Sequence, residues 1–225
     1  FAGAPVNPIW GHPNRGLLYK LYRNEELTDE EREEAALLQL EIAAYNEEVA
    51  QWRKDVDFGK FEELKNMYAE AGIGIYAFKP SVFGTDNTDD DIRYGMRAAK
   101  ALGATHITLE HPENDEHTAR LGRLAEEEGV LVGYHGHTQQ TPTFWDDSMA
   151  ISDAIRMNLD IGHYVAAGHP EPLKIVEEKH DKIVSMHLKD RKNKENGQDN
   201  MMWGEGDTPI KALLQLMKDK GYDFP

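Results

Sequence analysis

The chain contains no cysteine, and this absence excludes several kinds of chemistry at once. Disulfides, zinc sites built from thiolates and cysteine nucleophiles all require a thiol. Any metal that this protein binds must therefore be held by oxygen and imidazole ligands. The 225 residues suit one domain, and a hydrophobic content of 40% allows a core of ordinary size.

The chain also lacks long apolar runs and an excess of basic residues. No stretch reaches the roughly 20 consecutive apolar residues that span a bilayer, so we expect no membrane association. The 25 Lys and Arg residues are outnumbered by 41 Asp and Glu residues, which gives a formal net charge of −16. Because such a surface repels phosphate backbones, we expect no nucleic-acid partner.

The chain begins at Phe1 and shows no signal peptide. We therefore expect a cytoplasmic protein by default, with export to the periplasm as the alternative. The first 24 residues are rich in Gly, Pro and Asn, a composition that predicts loop. Residues 28–52 are predicted to be helical, because Thr28 and Glu31 form a capping box and apolar residues follow at steps of three and four.

From residue 57 to the end, short apolar strands alternate with helices. Strands are predicted at 73–78, 105–109, 130–134, 157–161 and 182–188. Helices are predicted at 58–71, 89–102, 116–128, 145–156, 171–180 and 208–220. This alternation is typical of βαβ units and a parallel sheet. Residues 191–207 are predicted to form a long loop, and loops of that length in compact domains are usually functional or disordered.

Polar side chains gather where four consecutive predicted strands end. They are Glu110 on the first, His135 and His137 on the second, Asp160 and His163 on the third, and His187, Lys189 and Asp190 on the fourth. In a parallel α/β barrel these ends meet at the face that carries the active site. Each residue alone has an ordinary structural explanation, but the coincidence across four strands predicts a site. Carboxylates and imidazoles suit Mn²⁺, Mg²⁺ or Co²⁺, with Zn²⁺ as an alternative.

Several short motifs occur in an order and spacing that resemble one known superfamily. They are AAKALGA at 98–104, YHGH at 134–137, NLDIGH at 158–163, VSMHLKD at 184–190 and WGEG at 203–206. From about residue 58 onwards they are similar to the motifs of the sugar phosphate isomerase/epimerase superfamily, whose members are xylose isomerase-like TIM barrels. The resemblance implies an α/β fold of the (β/α)8 type. We expect one domain over 1–225, with an atypical segment at 1–56 and recognisable βα units at 57–225.

The resemblance also implies roles for individual residues. In the superfamily a metal is usually bound by Glu, Asp, His and a final Glu, which places the first three ligands at Glu110, Asp160 and His187. His135 occupies a strand that supplies the first Glu in some members, so Glu110 and His135 are competing or cooperating candidates. The final Glu would fall beyond Pro225 and the first strand before Phe1, so we expect a barrel that is incomplete at both ends.

The remaining candidates fall into two groups. Glu110, His135 and Lys189 are the candidate catalytic residues. His137, His163, Asp190 and Trp203 are the candidates for contacting substrate or supporting the metal ligands. Trp203 lies in the long loop, where it either covers an apolar face of a substrate or fills the loop's own small core.

The function implied is metal-dependent isomerisation or epimerisation of a sugar, through proton removal beside a carbonyl and a metal-stabilised enediolate. The alternative is a lyase or dehydratase acting on a keto-sugar or keto-glycoside, with one of the imidazoles as the acid: His111, His135, His137 or His163. An endonuclease IV-like zinc phosphodiesterase conflicts with the acidic charge, and a non-catalytic sugar-binding barrel is a further alternative. The expected partner is a small sugar or keto-sugar, and a homo-oligomer is compatible with the resemblance.

Overall fold

In the computed structural model, which describes residues 3–225, the chain forms two compact units. The first ends at Lys60 and the second is Phe61–Pro225. Helix α3 (Gly59–Glu70) crosses the boundary between them. None of the helices within the described part of the chain is both long enough and apolar enough to cross a bilayer.

Residues 3–58 contain two helices, of which only the second was predicted. Helix α1 (Arg15–Arg23) lies where the sequence predicted loop, so that prediction is wrong for these nine residues. Asn14 caps the helix by accepting a 2.9 Å hydrogen bond from the Leu17 amide. Asn24 ends it in the left-handed region, with φ of 53°. The two Asn residues were interpreted as loop signals, whereas they act here as the helix caps that Asn also favours.

Helix α2 (Asp29–Asp55) confirms the predicted capping box and extends three residues further than expected. The Thr28 hydroxyl accepts a hydrogen bond from the Glu31 amide at 3.2 Å. The Thr28 amide donates in return to the Glu31 carboxylate at 2.9 Å. This reciprocal pair satisfies two of the donors that a helix start leaves free.

The second unit contains the strands and helices that the sequence predicted to alternate. The strands of the main sheet are β1 (Ala77–Phe78), β2 (His106–Glu110), β3 (Leu131–His135), β4 (Ile155–Asp160) and β5 (Ile183–His187). The helices are α4 (Asp89–Ala101), α5 (Asp115–Glu128), α6 (Asp146–Ile151), α7 (Ile161–Ala166), α8 (Pro172–Lys179) and α9 (Ile210–Lys220). Two short strands, β6 (Asp190–Arg191) and β7 (Asn200–Met201), pair antiparallel within the segment predicted as a long loop.

The main sheet has the order β1-β2-β3-β4-β5, and every neighbouring pair is parallel. The predicted parallel sheet is therefore confirmed. Strand β1 is shorter than the predicted 73–78: only Ala77 and Phe78 have strand partners on β2, and Ile73 and Tyr76 are exposed. At the other edge, the Met186 amide donates to the Pro225 carbonyl at 2.8 Å, so the end of the chain lies against β5. The sheet formed by the described residues is open and does not close into a barrel.

The core lies between this sheet and the helices that cover it. Residues on the strands, including Ile107, Val132 and Met157, have no exposed surface. Trp145 is equally buried, and its indole N–H donates to the Tyr134 carbonyl at 2.8 Å. The predicted helix at 145–156 is reduced to α6, because the chain turns into β4 at Ile155.

The close packing of α5 against the chain after α6 gives a test of this fold. A Cβ atom at Gly122 would lie 2.4 Å from Ser152 Cβ. Alanine favours a helix by about 1 kcal/mol, but we expect this overlap to dominate. Gly122→Ala should lower the free energy of unfolding by roughly 1–3 kcal/mol in urea denaturation. Gly74→Ala is the control, because no heavy atom lies within 4 Å of its Cβ position. An equal stability of both variants would contradict the packing.

Candidate metal centre

The carboxyl ends of β2 to β5 bring four predicted site residues to one edge of the sheet. The pairing places Glu110 opposite His135 across β2 and β3. It places Asp160 opposite His187 across β4 and β5. His135 and Asp160 are buried, whereas Glu110 and His187 are exposed. The cluster therefore has a buried floor and a rim that solvent reaches.

Glu110 forms the rim on the β2 side together with the Lys79 ammonium and the His137 imidazole. Lys79 Nζ lies 2.8 Å from Glu110 Oε1, and His137 Nε2 lies 3.3 Å from Glu110 Oε2. Partial burial opposes ionisation of Glu110, but the hydrogen bond from Lys79 and the positive charge of its ammonium group outweigh it. The pKa of Glu110 consequently lies below its usual value. Glu110 is therefore an anion near neutral pH.

Lys79 is a site residue that the sequence analysis missed. It directly follows β1, just as the other candidates end or follow their strands. Strand β1 has only two residues, and the predicted strand 73–78 placed its end just before Lys79. Lys79 could therefore have been predicted as a site residue from its position directly after a strand.

His135 forms the centre of the cluster. Its ring centroid lies 4.5 Å from that of His187 and 4.9 Å from that of His137. Burial lowers the pKa of His135 to about 4, so the imidazole is neutral. Its Nδ1 atom is buried and has no hydrogen-bond partner among residues 3–225. An unpartnered buried nitrogen with a free lone pair is what a metal ligand requires.

Asp160 is fully buried at the end of β4. Its Oδ1 accepts a 2.9 Å hydrogen bond from the His163 amide and so caps α7. Its Oδ2 lies 2.7 Å from Lys189 Nζ. Gly162 permits this arrangement, because a Cβ there would lie 2.6 Å from Lys189 Cβ and 2.7 Å from the Lys189 carbonyl oxygen. The glycine in the DIGH sequence therefore lets α7 approach the strand-end segment that carries Lys189.

Two overlapping groups of side chains could hold a metal ion. One is His135, Asp160 and His187, and the other is His135, His137 and His163. In each group the potential ligand atoms lie within 4.8 Å of one another. The first group offers one oxygen and two nitrogen ligands, and the second offers three nitrogen ligands. First-row divalent ions accept either combination.

His163 belongs to this cluster through its ring contacts. It stacks on His137 with a centroid distance of 4.7 Å and an interplanar angle of 13°. Its Nε2 lies 3.9 Å from Asp160 Oδ2, and its Nδ1 is hydrogen-bonded to the Arg191 guanidinium. Burial lowers the pKa of His163 to about 4. Arg191 is a second residue that the sequence analysis did not single out.

Asp190 and Trp203 are not brought into the cluster. The Asp190 carboxylate is buried and accepts backbone hydrogen bonds from Gly204 at 2.8 Å, Gly206 at 2.9 Å and Thr208 at 3.2 Å. It therefore organises the turn before α9, and a Cβ at Gly206 would lie only 1.9 Å from Asp190 Oδ1. Trp203 has 65% of its surface exposed.

His111, one of the imidazoles considered for a lyase, also makes its contacts elsewhere. Its ring lies 4.9 Å from Tyr134 and 4.6 Å from Phe144, between centroids. Its Nε2 is 3.2 Å from the Ser148 hydroxyl. These contacts are those of a packed structural histidine. A structural role of this kind is the ordinary explanation for a single imidazole at a strand end.

Comparison with known proteins agrees with the fold. The family model described as the xylose isomerase-like TIM barrel matches residues 35–225. The chain belongs to the xylose isomerase-like TIM barrel family. The predicted fold class is thus confirmed, with five parallel strands of the barrel present as an open sheet. No curated protein sequence matches the chain.

Two solved structures are similar in fold. A xylose isomerase domain protein from Planctomyces limnophilus has a TM-score of 0.60 and 15% identity, over 78% of this chain and 74% of that chain. An uncharacterized protein from Parabacteroides distasonis has a TM-score of 0.55 and 24% identity, over 76% of this chain and 67% of that chain. At these identities the similarity shows the fold alone.

The contacts of Asp190 lead to a stability prediction. In Asp190→Asn an amide N–H₂ group would replace one carboxylate oxygen. This group cannot accept a hydrogen bond, so backbone N–H donors that now bond to Asp190 would be left buried without an acceptor. We expect the free energy of unfolding to fall by about 1–3 kcal/mol in chemical denaturation. The exposed Asp153→Asn is the matched control and should change it by less than about 0.5 kcal/mol. Unchanged stability in Asp190→Asn would show that the carboxylate does not hold this turn.

Proposed function

We propose that this protein is a metal-dependent carbohydrate isomerase or epimerase that removes and returns a proton beside a carbonyl group. The observation that carries the proposal is the fully buried Asp160 carboxylate beside His135 and His187, at the strand-end edge of a xylose isomerase-like fold. In this class of fold that edge is where active sites lie.

The ligand set fits a divalent ion. Asp160 and His187 would bind it, with Glu110 and His135 as competing or cooperating ligands. The unpartnered Nδ1 of His135 supports this assignment, as does the short distance between the ligand atoms of His135, Asp160 and His187. Mixed carboxylate and imidazole ligands suit Mn²⁺, Mg²⁺, Co²⁺ or Zn²⁺. When bound, such an ion supplies Lewis-acid stabilisation of the negative charge that develops on a carbonyl oxygen.

Glu110 is the proposed general base. Its lowered pKa keeps it ionised near neutral pH, so it can accept a proton from the carbon beside the carbonyl. Lys79 and His137 hold its two oxygens in place. Its position on the exposed rim lets a substrate approach the carboxylate from solvent.

Lys189 is the proposed proton donor on the other side of the cluster. Its ammonium lies 2.7 Å from the buried Asp160, and its side chain is 40% exposed, so solvent also reaches it. A group that donates a proton while Glu110 accepts one is what both isomerisation and epimerisation require. His135 is the third candidate catalytic residue, because its neutral imidazole lies between Glu110 and His187.

The proposed substrate is a small sugar or keto-sugar. An exposed rim of carboxylate, ammonium and imidazole groups offers the donors and acceptors that hydroxyl groups need. The net charge of −16 disfavours a nucleic-acid substrate.

A lyase acting on a keto-sugar or keto-glycoside is the second candidate function. The observation that favours it is His137, an exposed imidazole 3.3 Å from the proposed base. Elimination begins with the same proton removal but also needs an acid for the leaving group, and an imidazole beside Glu110 can supply it.

Metal content tests the site directly. We expect close to one Mn, Co, Mg or Zn per chain by elemental analysis, after reconstitution with the metal if needed. Asp160→Ala and His187→Ala should each lower the bound fraction at least tenfold, because each removes a charged or directly bonding ligand. The controls Asp153→Ala and His180→Ala change exposed side chains outside the cluster. Metal-free wild-type protein after reconstitution, or full occupancy in both ligand variants, would refute the site.

Solvent-proton exchange tests the proposed base. In D₂O, a panel of ketoses and keto-sugars should include one that gains deuterium beside its carbonyl in the presence of the wild-type protein. Glu110→Gln should slow that exchange by about 10²–10⁴-fold, because the amide cannot accept the proton. The exposed Glu116→Gln is the control. Exchange at the wild-type rate in Glu110→Gln would eliminate Glu110 as the base, and release of an unsaturated product would select the lyase.

A further inference from the structure

Arg191 lies at the start of the long segment that follows the site, and its side chain turns back to the cluster. Its Nη1 is hydrogen-bonded to His163 Nδ1. Its Nη2 donates to the Gln198 carbonyl at 2.5 Å. Its Nε is buried and has no partner among residues 3–225, so these two contacts hold the guanidinium.

The contact with His163 determines where that imidazole carries its proton. A guanidinium is always protonated and has donors only. The nitrogen that it contacts must therefore offer a lone pair, which an imidazolium does not have. A neutral imidazole that accepts at Nδ1 carries its hydrogen on Nε2.

We propose that Arg191 is a positioning residue that holds His163 in the tautomer protonated on Nε2. Both nitrogens of His163 are then used, since Nδ1 accepts from Arg191 and Nε2 carries a proton. His163 cannot bind a metal in this state. Of the two groups that could hold an ion, the one formed by His135, His137 and His163 is therefore excluded, which leaves His135, Asp160 and His187.

The same tautomer makes His163 a hydrogen-bond donor directed at the site. Its Nε2 lies 3.9 Å from Asp160 Oδ2, a separation at which a small shift of the ring or an oxygen of a substrate could complete a hydrogen bond. This donor role towards substrate rests on the proposed function, whereas the tautomer itself does not.

The segment after Arg191 is built to keep this contact in place. Gln198 not only accepts from Arg191 but also donates from its side chain to the Ala166 carbonyl at 2.5 Å. Ala166 ends α7, the helix that carries His163. The Lys192 amide donates to the Asp199 carbonyl at 2.9 Å and closes the hairpin that contains β6 and β7. Arg191 and His163 are thus joined by a direct side-chain contact and by a second path that runs through Gln198 to the end of α7.

The tautomer can be read from the ¹⁵N chemical shifts of the imidazole nitrogens. The experiment uses ¹⁵N-histidine-labelled protein, freed of metal by a chelator, at pH 7.5, and assigns the His163 signals by their loss in His163→Gln. In the wild type we expect one protonated Nε2 and one unprotonated Nδ1. In Arg191→Met the two shifts should move towards each other, because no guanidinium then requires a lone pair on Nδ1 and the Nδ1–H tautomer becomes populated.

Arg123→Met is the matched control, because that arginine lies on the surface of α5 and pairs with Asp89 and Glu127. It should leave both His163 shifts unchanged. Protonation of Nδ1 in the wild type, alone or as an imidazolium, would overturn the proposal. Identical His163 shifts in the wild type and Arg191→Met would overturn it as well. If Arg191→Met does not fold, protonation of Nδ1 in the wild-type spectrum still overturns the proposal.

Metal binding gives a second readout that does not depend on turnover. Titrated with Mn²⁺ alone to saturation, His163→Gln should bind as many ions per chain as the wild type, because His163 is not a ligand. Loss of the bound Mn²⁺ at saturating concentration would contradict the proposal. If the wild type binds no Mn²⁺, the proposed function fails and the ¹⁵N spectra still decide the tautomer. If sugar turnover is found but Nδ1 is protonated, only the role of Arg191 is refuted.

Discussion

The arrangement of the candidate site depends on one buried charge, the carboxylate of Asp160. An isolated carboxylate without exposed surface is costly, so its surroundings must supply cations and hydrogen-bond donors. The Lys189 ammonium and the His163 amide do so on opposite oxygens. The first contact holds the segment after β5, and the second fixes where α7 begins. The positions of Lys189, His163 and, through His163, Arg191 all follow from this carboxylate.

The parallel sheet brings the other site residues close to Asp160. Because all five strands run in one direction, their carboxyl ends share one edge, and the register sets His135 beside Glu110 and His187 beside Asp160. Burial decreases from Asp160 and His135 to the exposed side chains of Glu110 and His187. In the proposed function, the buried Asp160 and His135 would hold the ion together with the exposed His187, and the exposed Glu110 would meet the substrate.

The sequence predicted those parts of the structure that follow from periodicity. Apolar strands alternating with amphipathic helices indicated the parallel sheet, and strand ends indicated Glu110, His135, Asp160 and His187. It did not predict α1, because Asn14 and Asn24 serve equally in loops and caps. Lys79 and Arg191 were missed, since their roles depend on partners 31 and 28 residues away in the chain. Asp190 was grouped with the site by its neighbours in sequence, whereas its backbone contacts with the turn before α9 depend on tertiary structure.

The most direct measurement is anomalous X-ray diffraction from crystals equilibrated with Mn²⁺ or Co²⁺. We expect one strong peak at about 2.0–2.3 Å from ligand atoms of Asp160 and His187. His135 or Glu110 should complete the coordination, and His163 should remain outside bonding distance with Arg191 still on its Nδ1. A peak bonded to His137 and His163, or no peak at the strand-end edge, would contradict the account.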